Sequence, residues 1–155
     1  MRCLLDTNIL LRGLDRRHPQ RRIVHRALVA LHRQGTEPCL AAQNVVEFWA
    51  VATRPVDANG LGMSCAWAAA QIAHMRRFFV ILPENADVQP EWERLVARHS
   101  VSGKKVHDVR LVATMNVHRV SRILTFNTGD FSRYPGLTVI DPSAMDSVTE
   151  RDKMA

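Results

Sequence analysis

Apolar residues along this chain follow two rhythms. Five short runs are apolar without alternation: CLL at 3–5, PCLAA at 38–42, FFVIL at 78–82, RILTF at 122–126 and LTVI at 137–140. Between them, apolar positions recur every three or four residues, the spacing of a helix with one buried stripe. A strand covered on one face alternates, whereas a strand covered on both reads as a continuous run. Five continuous runs separated mostly by helical patterns predict an α/β domain with a largely parallel sheet.

The helical stretches carry their own punctuation. Pro19 is expected in the first turn of a helix whose Val24, Ala27, Leu28 and Leu31 share one stripe, with Gly35 after its end. The opposite face carries Arg21, Arg22, His25, Arg26 and Arg33, which reads either as a solvated face or as a surface for RNA or another partner. Ser64 is placed to cap a helix through Met75, and Pro90 to open one containing Trp92, Leu95 and Val96. RPVDANGLGMS, residues 54–64, reads as the loop between two helices. From Ser143 the chain turns polar, so a domain over 1–142 and a loose tail over 143–155 are expected.

Length and charge narrow the class. With 155 residues, 46% of them hydrophobic, one domain has enough material for a core and two do not. No apolar stretch approaches the roughly 20 residues of a membrane span, and no leader pattern opens the chain, so a soluble cytoplasmic protein is expected. Cysteines at 3, 39 and 65 have neither the number nor the spacing of a disulfide framework or a zinc knuckle, and are expected buried and reduced. The net charge of +6 makes a polyanion a fitting partner.

Against that basic background, four acids stand out. Asp6 ends the first apolar run, where an open parallel sheet collects its ligands. Thr7 and Asn8 follow and can start the helix ILLRGL, capping it with their side-chain oxygens; the structural alternative is that Asp6 is itself the cap. Glu47 lies in AAQNVVEFWAVATR, a helix that puts Gln43, Asn44 and Glu47 on one face; its charge needs either Arg54 or a metal-bearing cleft. Asp108 sits in GKKVHDVRLVATM near the start of a helix, where capping alone would also explain it. Lys104 and Lys105 before it suit either phosphate or solvent, and His107 is expected to point away. In LTFNTGDF, residues 124–131, Thr125 ends an apolar strand and Asn127 and Asp130 occupy a Gly-containing loop. Carboxylates that converge repel one another unless a hard cation neutralises them, and oxygen-only ligation selects Mg²⁺ or Mn²⁺. Such an ion activates water and stabilises a transferring phosphoryl group. A basic protein with an acidic metal centre has the makings of a nuclease.

These motifs, LLDTNILL, NVVEFWAV, KKVHDVRLVA and LTFNTGDFSRYPGLTVIDP, in this order and over residues 2 to about 142, resemble those of PIN-domain proteins. More narrowly, they resemble the VapC toxins of type II toxin–antitoxin pairs. The resemblance implies a three-layer α/β/α sandwich around a parallel five-stranded sheet. It implies Mg²⁺-dependent endoribonuclease activity, in which metal-activated water cuts an RNA phosphodiester to leave a 5′-phosphate and a 3′-hydroxyl. By position, Asp6 and Asp108 match the metal-binding aspartates and Glu47 the helix-borne acid. The fourth acid varies in place among members; Asn127 stands at one of the two positions, so Asp130 is taken for it. Thr7 and Thr125, with Asn8 and Asn127, fall where water or phosphate is ordered. The resemblance further implies a small VapB-like antitoxin and a homodimer, with the Trp49 and Trp67 helices as candidate interface.

Two rivals are weaker. An aspartyl nucleophile of the haloacid-dehalogenase kind calls for a second acid two residues on, where this chain has Asn8. A non-catalytic PIN-like module binding RNA or protein would be expected to lack a core carboxylate, yet Asp6, Glu47 and Asp108 are all present.

Overall fold

The computed structural model describes residues 1–145. Its five strands are β1 (Arg2–Leu5), β2 (Glu37–Leu40), β3 (Val80–Ile81), β4 (Arg122–Leu124) and β5 (Thr138–Ile140), one at each predicted run, with β1 and β2 each starting one residue before theirs. All pairings are parallel and the order is β3-β2-β1-β4-β5. The helices are α1 (Thr7–Leu14), α2 (Arg21–Arg33), α3 (Ala42–Thr53), α4 (Cys65–Phe78), α5 (Val88–Arg98), α6 (Lys105–Val117) and the single turn α7 (Thr128–Phe131).

Alternation along the strands divides the core in two. Leu4, Cys39 and Ile123, with Val139, join one apolar cluster; Cys3, Leu5, Leu40 and Leu124, with Ile140, join the other. Successive strand residues point to opposite faces and both faces are covered, so the strands are apolar beyond their first residues, the polar Arg2, Glu37, Arg122 and Thr138 standing where β1, β2, β4 and β5 begin. The first cluster is closed by α5, α6 and α7 through Leu95, Val112 and Phe131, the second by α1 to α4 through Ile9, Leu31, Phe48 and Met75. The result is the expected α/β/α sandwich. Its layering follows from handedness: β1 to β3 progress toward one edge with right-handed crossovers, and the return to β4 must put α5 and α6 on the other face.

Several local expectations shift. The helix near Pro19 starts at Arg21, two residues later, so Pro19 precedes it. Ser64 does cap α4, its hydroxyl oxygen accepting the Trp67 N–H at 3.1 Å. Residues 54–64 wrap the end of α3 through a 3₁₀ turn, Val56–Ala58. There Asn59 is left-handed (φ 61°). Gly60 has no room for a side chain, because a Cβ would stand 2.0 Å from the Arg54 carbonyl oxygen. Cys3 and Cys39 are buried and free, but Cys65 is exposed, because the first residue of α4 points off the apolar stripe formed by Ala68 and Met75. Pro142–Met145 form a 3₁₀ turn; the rest of the polar tail, residues 146–155, lies outside the described residues. No described helix is long and apolar enough to cross a membrane.

Candidate active site

The strand order reverses between β1 and β4, which opens a crevice beyond their carboxyl ends. Asp6 directly follows β1 and Thr125 directly follows β4. Asp6 is 7% exposed, yet both its oxygens are engaged. Oδ1 accepts the Thr7 N–H at 2.7 Å, and Oδ2 accepts from the Thr125 hydroxyl at 2.6 Å and the Asn8 amide at 2.9 Å. Asp6 is therefore the N-cap of α1 as well as a member of the crevice. Thr7 and Asn8, expected to cap the helix themselves, are displaced from that task by the residue before them and turn to their neighbours.

The Thr7 hydroxyl donates to Glu47 Oε2 at 2.6 Å and accepts from the Asn44 amide at 3.1 Å. Asn44, fully buried, also accepts the Ala41 N–H at 2.8 Å, satisfying an open donor at the start of α3. Gln43 donates to Glu47 Oε1 at 2.7 Å and to the His107 carbonyl of α6 at 2.9 Å, tying α3 to the helix that bears Asp108. Glu47 is thus held by neutral donors. Among the described residues Arg54 makes no ion pair with it. The positioning role of Asn44 was not predicted, although its place on the Glu47 face of the helix was visible in the spacing.

Asp108 does not cap α6. The helix begins three residues earlier at Lys105, and Asp108 comes at the end of its first turn, half-buried. Burial first, and then the charges of Asp130, Asp6 and Glu47, push its carboxyl up from 3.8 to about 6, against a small lowering by His107. Asp6 is pushed up in the same way by burial, opposed by the hydrogen bonds from Thr125 and Thr7 and assisted by Glu47 and Asp130. The four acids therefore feel one another across the crevice. Asp130 lies in the first turn of α7; this stretch, expected as an open loop, closes into one helical turn. Asn127 is exposed and contributes its backbone, whose N–H bonds to the Thr125 hydroxyl at 2.9 Å.

Among the described residues no Lys, Arg or His lies within ion-pair distance of these four carboxylates. Nor do any three His, Cys, Asp or Glu side chains close around a single point as ligands would. Four mutually repelling carboxylates with no cationic side chain among the described residues paired to them have the donor chemistry of a hard divalent ion.

A pH effect follows from Asp108. Since its folded value exceeds 3.8, the folded state holds the proton longer, and stability falls as pH rises from about 4 to about 6 before levelling off. Asp108→Asn is expected to melt higher than the wild type near neutral pH in a chelator, the difference vanishing by about pH 4. Half-exposure attenuates the gain. Paired melting curves across this range test it, and a pH-independent difference would contradict it.

Solved structures share this architecture. One chain of VapBC2 from Rickettsia felis, bound to a promoter DNA fragment, superposes with a TM-score of 0.68 at 14% identity, covering 90% of this chain and 98% of that one. VapBC-1 from nontypeable Haemophilus influenzae gives 0.63 at 15% identity, covering 92% and 99%. A toxin–antitoxin complex from Klebsiella pneumoniae gives 0.61 at 23% identity, covering 90% and 97%. No curated protein matches the sequence. A family model described as PIN domain matches residues 3–137, from β1 to the threshold of β5 and across all four acids, and the chain belongs to the PIN-domain family.

Proposed function

We propose that this protein is a Mg²⁺-dependent endoribonuclease, the VapC-type toxin of a type II toxin–antitoxin pair acting in the cytoplasm. The observation that carries the reading is the gathering of Asp6, Glu47, Asp108 and Asp130 from four separate elements at the end of the sheet, near enough for their charges to act on one another, with no cationic side chain among the described residues within ion-pair distance. Asp6 and Asp108 are assigned as metal ligands, with Glu47 and Asp130 completing the charge.

Bound there, Mg²⁺, or Mn²⁺ in its place, supplies an activated water and offsets charge on the phosphoryl group. The chain's own residues prepare that chemistry. Thr125 and Asn8 fix the plane of the Asp6 carboxylate, while Thr7 and Gln43 fix that of Glu47. Oriented carboxylates lose little freedom on loading, which favours a site of fixed geometry. Attack by water on phosphorus, with the 3′-oxygen leaving, gives a 5′-phosphate and a 3′-hydroxyl.

The test is incubation of an end-labelled RNA with Mg²⁺, with Mn²⁺ or with a chelator, followed by end-group analysis. Cleavage only with metal and the stated end groups are expected. A cyclic phosphate product or cleavage in chelator would overturn the mechanism, and binding without cleavage would favour the non-catalytic module.

The Rickettsia felis and Haemophilus influenzae structures contain VapBC pairs, which supports assigning a small VapB-like antitoxin here as well. Co-expression with the small open reading frame beside the gene is expected to relieve toxicity. A homodimer is part of the same proposal. Val46 and Trp49 expose 68% and 37% of their surface on α3, whereas Trp67 packs against Phe48 with ring centroids 6.2 Å apart. Sedimentation that shows only monomer at micromolar concentration would remove the dimer.

A further inference from the structure

The positively charged Arg12 stands next to this acidic crevice. Arg12 lies on α1 one turn beyond Asn8, about 6 Å along the helix axis. Asn8 reaches both Asp6, through its amide, and the backbone of Phe126, whose N–H it accepts at 3.4 Å. On the same face, the Arg12 guanidinium lies over the Phe126 ring, 4.3 Å from its centroid. Phe126 directly follows Thr125, which holds Asp6. The guanidinium is therefore fixed beside the crevice by a cation–π contact.

Its other partner is the neutral Gln20, whose side-chain oxygen accepts from Nη1. Among the described residues no carboxylate pairs with Arg12. Gln20 and Phe126 thus orient the group without cancelling its charge. An arginine placed merely to offset local acids would pair with one. The surrounding segment, residues 12–22, holds Arg12, Arg16, Arg17, Arg21 and Arg22 against the single acid Asp15, whose carboxylate accepts the Arg17 N–H at 2.9 Å. A pre-oriented guanidinium with unused donors is suited to a phosphate or to the face of an unpaired base.

We propose that Arg12, laid on Phe126, binds a backbone phosphate of single-stranded RNA next to the bond presented to the acidic crevice, so that the strand leaves the site along α1 over Phe126. The inference rests on the ribonuclease reading and adds the path of the substrate. The crevice repels a polyanion, and a fixed positive charge one helical turn away supplies the attraction that holds the neighbouring nucleotide in place.

The test uses the full chain and a fluorescein-labelled single-stranded RNA oligonucleotide, with binding followed by anisotropy in chelator at several salt concentrations. Arg12→Gln is expected to weaken binding about tenfold and to reduce the slope of log K against log salt by about 0.7. Phe126→Leu, which keeps the apolar contact and removes the ring, is expected to weaken binding with the slope unchanged. Arg98→Gln, an equal loss of charge at an exposed position of α5, is expected to leave binding near wild type. In Mg²⁺, Arg12→Gln is expected to raise KM more than it lowers kcat. If Arg12→Gln lowers the melting temperature, Arg12→Lys keeps the charge and is expected to restore the slope. Wild-type binding by Arg12→Gln, or equal weakening by Arg98→Gln, would overturn the proposal while Mg²⁺-dependent cleavage by the wild type left the ribonuclease reading standing. A wild type that neither binds nor cuts RNA would remove both.

Discussion

Asp6→Asn is expected to lower Mg²⁺-dependent RNA cleavage by about 10³-fold or more, roughly 4 kcal/mol of transition-state stabilisation, while the protein stays folded. Asparagine is as good an N-cap as aspartate, so its side-chain oxygen can still accept the Thr7 N–H that opens α1. What changes is the other oxygen, which now becomes an amide facing the Asn8 amide and the Thr125 hydroxyl. The charge that would anchor the ion is gone, and the donors that aimed the carboxylate now face another donor. Stability moves little, because the substitution also removes a buried charge whose ionisation is resisted by desolvation, Glu47 and Asp130. In chelator near neutral pH the variant is expected to melt at or above the wild-type temperature. Labelled-RNA cleavage and circular dichroism melts measure the two halves separately. Wild-type cleavage by the folded variant would sink the metal assignment, and a collapsed melt would show that the Asn8 and Thr125 bonds to the second oxygen serve mainly to hold the fold.

The largest effect on stability is expected at Phe48. This ring is fully buried in the cluster beneath α1 to α4 and packs against Trp67. Phe48→Ala leaves a cavity that the surrounding strands and helices cannot close. It is expected to cost about 3–5 kcal/mol, a fall of roughly 10–15 °C in melting temperature for a domain of this size. The consequence reaches the site because Phe48 adjoins Glu47 on α3, and the Thr7, Gln43 and Asn44 bonds depend on where that helix sits. Activity should therefore fall further than the folded fraction accounts for. Chemical denaturation together with cleavage rates at a temperature where the variant is folded would show this. A loss below about 1 kcal/mol would mean that the core collapses around the missing ring.

Local patterns revealed much of this molecule, and the misreadings have a common origin. The five strands were visible because burial on both faces removes alternation, a property written residue by residue. The helix from Ser64 was visible because a cap and a stripe are both local. The boundary at Pro19 slipped because Gln20 and Arg21 are compatible with either turn or helix, and a turn closed by the Arg21 N–H on the His18 carbonyl precedes the helix. The turn at Asn127–Asp130 closed into a helix because Phe131 is drawn into the core beside α6.

The four acids were legible as a set, since each sits at a strand end or on a helix near one. Their partners were not. Thr125 and Asp6 are 119 positions apart, Thr7 and Glu47 are 40 apart, and nothing periodic connects them.

By itself, then, the sequence determined the elements, their order, the two-sided sheet and the acids at its edge, because hydrophobic period and chain punctuation act within a few residues. Only the tertiary structure decided that Asp6 both caps α1 and faces the crevice, that buried Asn44 sets Thr7 against Glu47, and that Arg12 rests on Phe126. Hydrogen bonds and charge coupling depend on separations of a few ångströms, and those arise only when the parallel sheet brings distant segments to one edge.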